Sequence, residues 1–122
     1  MIIGLGTDIV EISRIKKAIE RTSTFLEKVY TKKEIEYISQ KKNPYPSYAG
    51  RFAAKEAISK AFGTGVRKFG LLDIEILNDD LGKPLVYLSE ELVKKYNGKL
   101  NLSISHSKEY ATATAILEDI DK

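Results

Sequence analysis

The most constraining stretch of this sequence is a run of small residues in helical register. Ala49, Ala53, Ala57 and Ala61 recur with Phe52 at the spacing of one helix face, and alanine carries the highest helix propensity. The spacing predicts a helix over 46–62, entered from a basic loop with two prolines over 41–47 and stopped by Gly63-Thr64-Gly65. A helix striped with alanine leaves room beside it. A carboxylate on its rim can face a concave site without a bulky neighbour filling that site.

The other apolar segments are shorter and mostly strand-like. Ile2 to Val10 is dense in β-branched residues and reads as a buried strand, bulged at Gly4 or Gly6 and interrupted by Asp8. Ile12, Ile15, Ile19, Phe25, Leu26 and Val29 suggest helix over 12–29, broken near Thr22-Ser23-Thr24. Thr31 and Glu34 form a capping box for a helix over 32–40. Leu72, Ile74 and Ile76 alternate with acids as in a half-buried strand, and Leu85 to Leu88 returns after a turn over 78–83. Ser89 caps a helix over 90–96. Two strands then follow, Leu102 to His106 and Tyr110 to Leu117, joined by Ser107-Lys108-Glu109. The order β-α-α-α-β-β-α-β-β implies an α+β fold with a largely antiparallel sheet packed with helices.

Composition narrows the functions open to such a chain. Its 122 residues argue for one domain over 1–122, in which one copy buries only part of its surface and a large ligand calls for a neighbouring subunit. The absence of cysteine excludes a disulfide scaffold, thiol chemistry and cysteine-ligated metal. One histidine excludes a two-histidine metal site within one chain. The opening residues form neither a signal peptide nor a membrane span, so a cytoplasmic protein is expected. The net charge of +3 suits nucleic acid, a phosphorylated cofactor or an acidic protein about equally.

Several residues could carry chemistry, each with a plainer alternative. Glu56 and Lys60 share a helix face, as do Arg51 and Lys55. The first pair is either a solvated surface pair or part of a site. Asp8 in a strand is unusual, because acids are rarely buried there unpaired. It either caps the next helix or receives a cation, and Gly6 before it permits close approach of a ligand or another backbone. Asp8 and Glu56 together would offer two hard oxygen ligands, as Mg²⁺ takes beside substrate phosphate. His106 reads as a core or edge histidine, or as one facing phosphate with its neighbouring serines and Lys108. Gly63 and Gly65 terminate the helix, and their amides could meet phosphate oxygens. The basic residues Arg14, Lys16, Lys17 and Arg21 form either a solvated face or a docking strip for an acidic protein.

Three motifs then carry a resemblance over essentially the whole chain. Gly4-Leu5-Gly6-Thr7-Asp8-Ile9-Val10-Glu11-Ile12 with Arg14-Ile15, Arg51-Phe52-Ala53-Ala54-Lys55-Glu56-Ala57-Ile58-Ser59-Lys60-Ala61-Phe62-Gly63-Thr64-Gly65, and Ser103-Ile104-Ser105-His106-Ser107 with Tyr110-Ala111 resemble the signatures of the holo-acyl-carrier-protein synthases. These are the small 4′-phosphopantetheinyl transferases. The stretch 39–47 is the least similar, with a short loop. The resemblance implies transfer of 4′-phosphopantetheine from coenzyme A to a serine of apo-acyl carrier protein, with release of adenosine 3′,5′-bisphosphate. It implies Asp8 and Glu56 as magnesium ligands and Lys60 at the reacting phosphates. It also implies Arg51 and Lys55 at coenzyme A phosphates, His106 near the nucleotide, and Arg14 with its basic neighbours as the carrier dock. Glu56, directly or through a water on the metal, is the expected acceptor of the serine proton. A homotrimer with sites at subunit boundaries is implied as well. Two other classes compete. A nucleic-acid module lacks an RNP pattern, a GXXG loop or a zinc finger to support it, and a metal-dependent phosphohydrolase would need no carrier.

Overall fold

The computed structural model describes residues 1–63, 70–96 and 98–119. The chain runs β1 (Ile2–Glu11), α1 (Ile12–Arg21), α2 (Phe25–Val29), α3 (Lys32–Ser39), α4 (Tyr45–Phe62), a 3₁₀ turn (Leu71–Asp73), β2 (Ile74–Asn78), β3 (Pro84–Leu88), α5 (Glu90–Lys95), β4 (Lys99–His106) and β5 (Tyr110–Glu118). Strands β1, β5 and β4 form an antiparallel sheet in that order, and β2 pairs with β3 in a separate antiparallel hairpin. The α+β expectation therefore holds, with the strands divided between two sheets.

The alanine stripe is explained by what lies under it. Helix α4 runs obliquely across the three-stranded sheet. Gly50 meets Ile104 of β4 near one end, while Ala57 and Ala61 meet Gly6 and Gly4 of β1 toward the other. A Cβ on Gly6 would stand 1.9 Å from the Ala57 carbonyl oxygen, and one on Gly4 would stand 2.0 Å from that of Ala61. Helix and strand backbones are in contact here, so only glycine opposite alanine fits. Ala53, Ala54, Ala57 and Ile58 are fully buried with Ile74, Ile76 and Ala115 in the main core. A second cluster gathers Ile12, Ile15, Val29, Tyr30, Ile38 and Tyr48 where α1, α2 and α3 meet the first half of α4. Val10 touches both clusters.

Two local readings change. The first strand is not buried on both faces: Ile3, Leu5 and Ile9 are 53%, 66% and 66% exposed, because nothing in the described chain covers the outer side of β1. Leu72 does not begin a strand. Asp73 accepts from the Gly70 amide and folds 71–73 into a 3₁₀ turn, so β2 starts at Ile74. The expected break near 22–24 separates α1 from α2 completely. The Thr31–Glu34 capping box forms as read, as does the glycine stop at Gly63, whose φ of 82° is left-handed. The expected bulge lies between Ile2 and Gly4.

Candidate active site

Asp8 sits in the middle of β1, paired with Ala113 of β5. Its side chain is about one-fifth exposed, at 19%. The strand's alternation sends Gly6, Asp8 and Val10 to the α4 side of the sheet, which is why an acid can occupy this strand without entering the core. Glu56 lies on α4 one turn after Phe52, half-buried. Both carboxylates line one cleft of about 410 Å³ between β1, α1 and α4, together with Arg14, Ile15, Ala18 and Phe52. The structure thus brings together Asp8, Glu56 and Arg14, which the sequence could only set side by side as candidates.

Lys60, one turn beyond Glu56, reaches the same place. Its ammonium donates to the Thr7 carbonyl at 2.9 Å and to Asp8 Oδ1 at 3.2 Å. The Glu56 carboxyl is pushed above the usual glutamate range, first by burial and then by the neighbouring Asp8 charge, while Lys60 pulls it back. Two acids and one cation therefore act on one another across this cleft. An acid raised in this way holds a proton more readily than an exposed glutamate, which suits a proton acceptor in catalysis.

A second cleft of about 300 Å³ lies on the other flank of α4. Gly50, Arg51, Asn78, Gly82, Pro84 and His106 are among its lining residues. Successive helix residues turn by roughly 100°, so Gly50 and Phe52 face opposite sides of α4. The two clefts share no lining residue. Arg51 is 5% exposed; its Nε donates to the Ile76 carbonyl at 3.1 Å, its Nη2 donates to Asn78 Oδ1, and its guanidinium lies over the Tyr37 ring. Burial lowers its affinity for a proton, opposed by Glu34. Asn78 also donates to the Gly82 carbonyl at 2.9 Å, tying Arg51 to the turn that walls the cleft. His106, at the end of β4, is exposed beside it.

Lys55 is placed elsewhere than the resemblance implied. It is fully buried, and its ammonium donates to the Val29 carbonyl at 2.7 Å, Glu34 Oε1 at 2.7 Å and the Leu71 carbonyl at 3.1 Å. Three donors meet three acceptors, so no part of the charge faces a ligand. Glu34 is buried with it and also accepts from the Thr31 and Ile76 amides. The capping box was visible in the sequence; its burial against a lysine was not, because a cap explains a glutamate at that position by itself. Gly63 ends α4, and Gly65 lies outside the described residues. The sequence reading also missed Asn78, Gly82 and Pro84. A strand end and a turn explained them locally, with nothing to show which helix they would face. A larger, more apolar groove of about 670 Å³ runs past Tyr30, Ile35 and Leu72, but it contains none of the candidate residues.

Residues 4–115 match the family model described as the 4'-phosphopantetheinyl transferase superfamily. A holo-[acyl-carrier-protein] synthase of Fusobacterium nucleatum is 58% identical, covering 96% of this chain and 99% of its own length. One from Clostridium novyi is 60% identical, covering 97% and 88%. Among solved structures, the holo-(acyl-carrier-protein) synthase of Bacillus anthracis in complex with CoA (3',5'-ADP) superposes with a TM-score of 0.85 at 44% identity, covering 98% of each chain. The Helicobacter pylori synthase in complex with coenzyme A gives 0.85 at 38% identity, covering 93% of this chain and 99% of that one.

Proposed function

Because this chain belongs to the 4'-phosphopantetheinyl transferase superfamily, we propose how its two clefts divide the transfer of 4′-phosphopantetheine from coenzyme A to a serine of apo-acyl carrier protein. The observation that carries the assignment is the convergence of Asp8, Glu56 and Arg14 on one cleft from three different elements.

In the reaction the serine oxygen attacks the β-phosphorus of coenzyme A. The bond from that phosphorus to the bridging oxygen breaks, and adenosine 3′,5′-bisphosphate leaves. The serine proton goes to Glu56, directly or through a water. Lys60, a compact point charge on a flexible stem, stabilises negative charge as it shifts onto the leaving phosphate. Asp8 and Glu56 fit a hard divalent cation: both are oxygen donors in one half-buried cleft, and Mg²⁺ commonly takes one or two carboxylates with the rest of its shell from phosphate and water. Bound there, Mg²⁺ would neutralise pyrophosphate charge.

Arg51 and His106 serve the nucleotide end of coenzyme A in the second cleft. Helix α1 docks the acidic carrier, with Arg14 at the rim of the reaction cleft and Lys16, Lys17 and Arg21 on the same helix. Such a dock acts mainly on encounter and orientation, which dominate a two-substrate transfer. The protein is a homotrimer in this reading, with each site closed between subunits. Two features support that. The reaction and nucleotide clefts lie on opposite flanks of α4, and Ile3, Leu5 and Ile9 present an uncovered apolar sheet face for another copy. No described helix is long and apolar enough to cross a membrane, and the reaction is assigned to the cytoplasm.

The test is intact-mass analysis of an apo-acyl carrier protein incubated with coenzyme A, Mg²⁺ and this protein. The carrier should gain one phosphopantetheinyl group per reactive serine. Asp8→Asn and Glu56→Gln should each slow that gain by roughly 100-fold or more while unfolding at the wild-type urea midpoint or above it. Near-normal rates in both variants would remove these residues from the reaction.

A further inference from the structure

The Asp8 carboxylate already carries a cation of the chain's own. Lys60 Nζ rests 3.2 Å from Asp8 Oδ1 and is held there by the Thr7 carbonyl at 2.9 Å. The anchor is a backbone oxygen of β1, one residue before Asp8, so the ammonium is directed to this carboxylate and not spread over a surface. The partners differ in freedom. The Asp8 side chain is largely covered on a strand, at 19% exposed, whereas that of Lys60 is 53% exposed on four rotatable methylenes. Asp8 is the fixed member of the pair and Lys60 the movable one.

We infer that Lys60 is a built-in counter-cation that competes with a divalent metal for Asp8 and gives way when phosphates arrive to take its charge. This rests on the reading of Asp8 and Glu56 as the metal site. Two cations on one carboxylate repel each other, so a metal approaching alone meets a site whose charge Lys60 has partly cancelled. Coenzyme A changes the balance. Its pyrophosphate offers the ammonium a stronger anionic partner, and Lys60 can swing to it because its stem is exposed. The metal and coenzyme A then favour each other's binding, with the lysine carrying part of that coupling. One side chain thereby keeps the site from holding a metal tightly without substrate, and delivers a positive charge to the phosphates when both are present.

The consequence has an unusual sign: removing a residue that serves the reaction should tighten metal binding. The test uses Mn²⁺ as probe, with free ion followed by its paramagnetic resonance signal, on wild type, Lys60→Met, Lys60→Arg and Asp8→Asn. Each is titrated without and with coenzyme A. Lys60→Met is expected to bind Mn²⁺ alone about fivefold or more tighter than wild type, and to gain less from coenzyme A than wild type does. Lys60→Arg, which keeps the charge, should stay near wild type. Asp8→Asn should weaken Mn²⁺ binding. If Lys60→Met binds Mn²⁺ no tighter than wild type while Asp8→Asn still weakens it, the counter-cation role is wrong and the metal site stands. If Asp8→Asn leaves Mn²⁺ binding unchanged, the metal is not at Asp8 and both readings fall.

Discussion

Helix α4 carries two lysines, Lys55 and Lys60, that the sequence presents as equals and the structure treats as opposites. Five residues of helix separate them by roughly 140°. Lys55 points into the junction of α2, α3 and the 3₁₀ turn, where one carboxylate and two carbonyls take all three of its donors. Lys60 lies over β1 beside Asp8, half-exposed, with one carbonyl and one carboxylate as partners. A buried charge with every donor matched is fixed, because any other arrangement leaves an unpaired charge in the core. An exposed charge can exchange partners at little cost. Lys55 fastens the helix, and Lys60 on the same helix can change partners. Since Lys55 directly precedes Glu56, fastening α4 there also sets where Glu56 points.

The sharpest way to break this contrast is to remove each lysine and compare stability. Lys55→Met should lower the unfolding free energy in urea by about 3–5 kcal/mol, because it leaves Glu34 charged and unpaired in the core. Pairing Lys55→Met with Glu34→Gln should cost less than the sum of the two single changes, since both lose the same interaction. Lys60→Met should stay within about 0.5 kcal/mol of wild type. An effect between these two, of about 1–3 kcal/mol, is expected for Gly6→Ala, whose added carbon meets the Ala57 carbonyl and must push α4 off β1. The same displacement should impair transfer, because Glu56 and Lys60 ride on that helix.

Much of the fold was legible in the sequence because local chemistry and tertiary need coincide there. The alanine stripe, the Thr31–Glu34 box and the glycine stop at Gly63 each mean locally what they mean in the fold. Gly6 was legible as a close-approach position and Gly4 only as a bulge site; that α4 approaches both became visible only in three dimensions. Lys55 shows the limit from the other side. Arg51 and Lys55 stand at helical spacing among motif residues, and nothing local distinguishes a lysine that meets phosphate from one that closes a core junction. The distinction depends on Glu34, Val29 and Leu71, which are distant in sequence and are brought together only by the packing of α2, α3 and the turn before β2. The separation of the two clefts was likewise hidden, since Gly50, Arg51, Phe52 and Glu56 are near neighbours in the chain and part only around the helix.

Two further outcomes sharpen the working side of the comparison. If the clefts complete one another between subunits, Asp8→Asn and His106→Ala proteins that are each impaired should recover a fraction of wild-type transfer after their subunits are mixed and reassembled. Transfer that stays at the level of the separate variants would confine the site to one chain. The smallest effect concerns Glu56 itself. Its carboxyl in the folded protein lies above its unfolded value, so the native state loses stability as pH rises from the ordinary glutamate range through the raised one. Without metal, Glu56→Gln should therefore melt slightly higher than wild type at pH 7, with the gain shrinking as pH falls toward the ordinary glutamate range and gone below it.

The most direct measurement is the transfer rate of Lys60→Met under conditions where its urea midpoint has been shown to match that of wild type. A loss of roughly 100-fold or more in carrier modification, with the fold unchanged, is the expected result. Wild-type transfer by that variant would contradict it, and would leave Lys60 as a surface pair with Asp8 and nothing more.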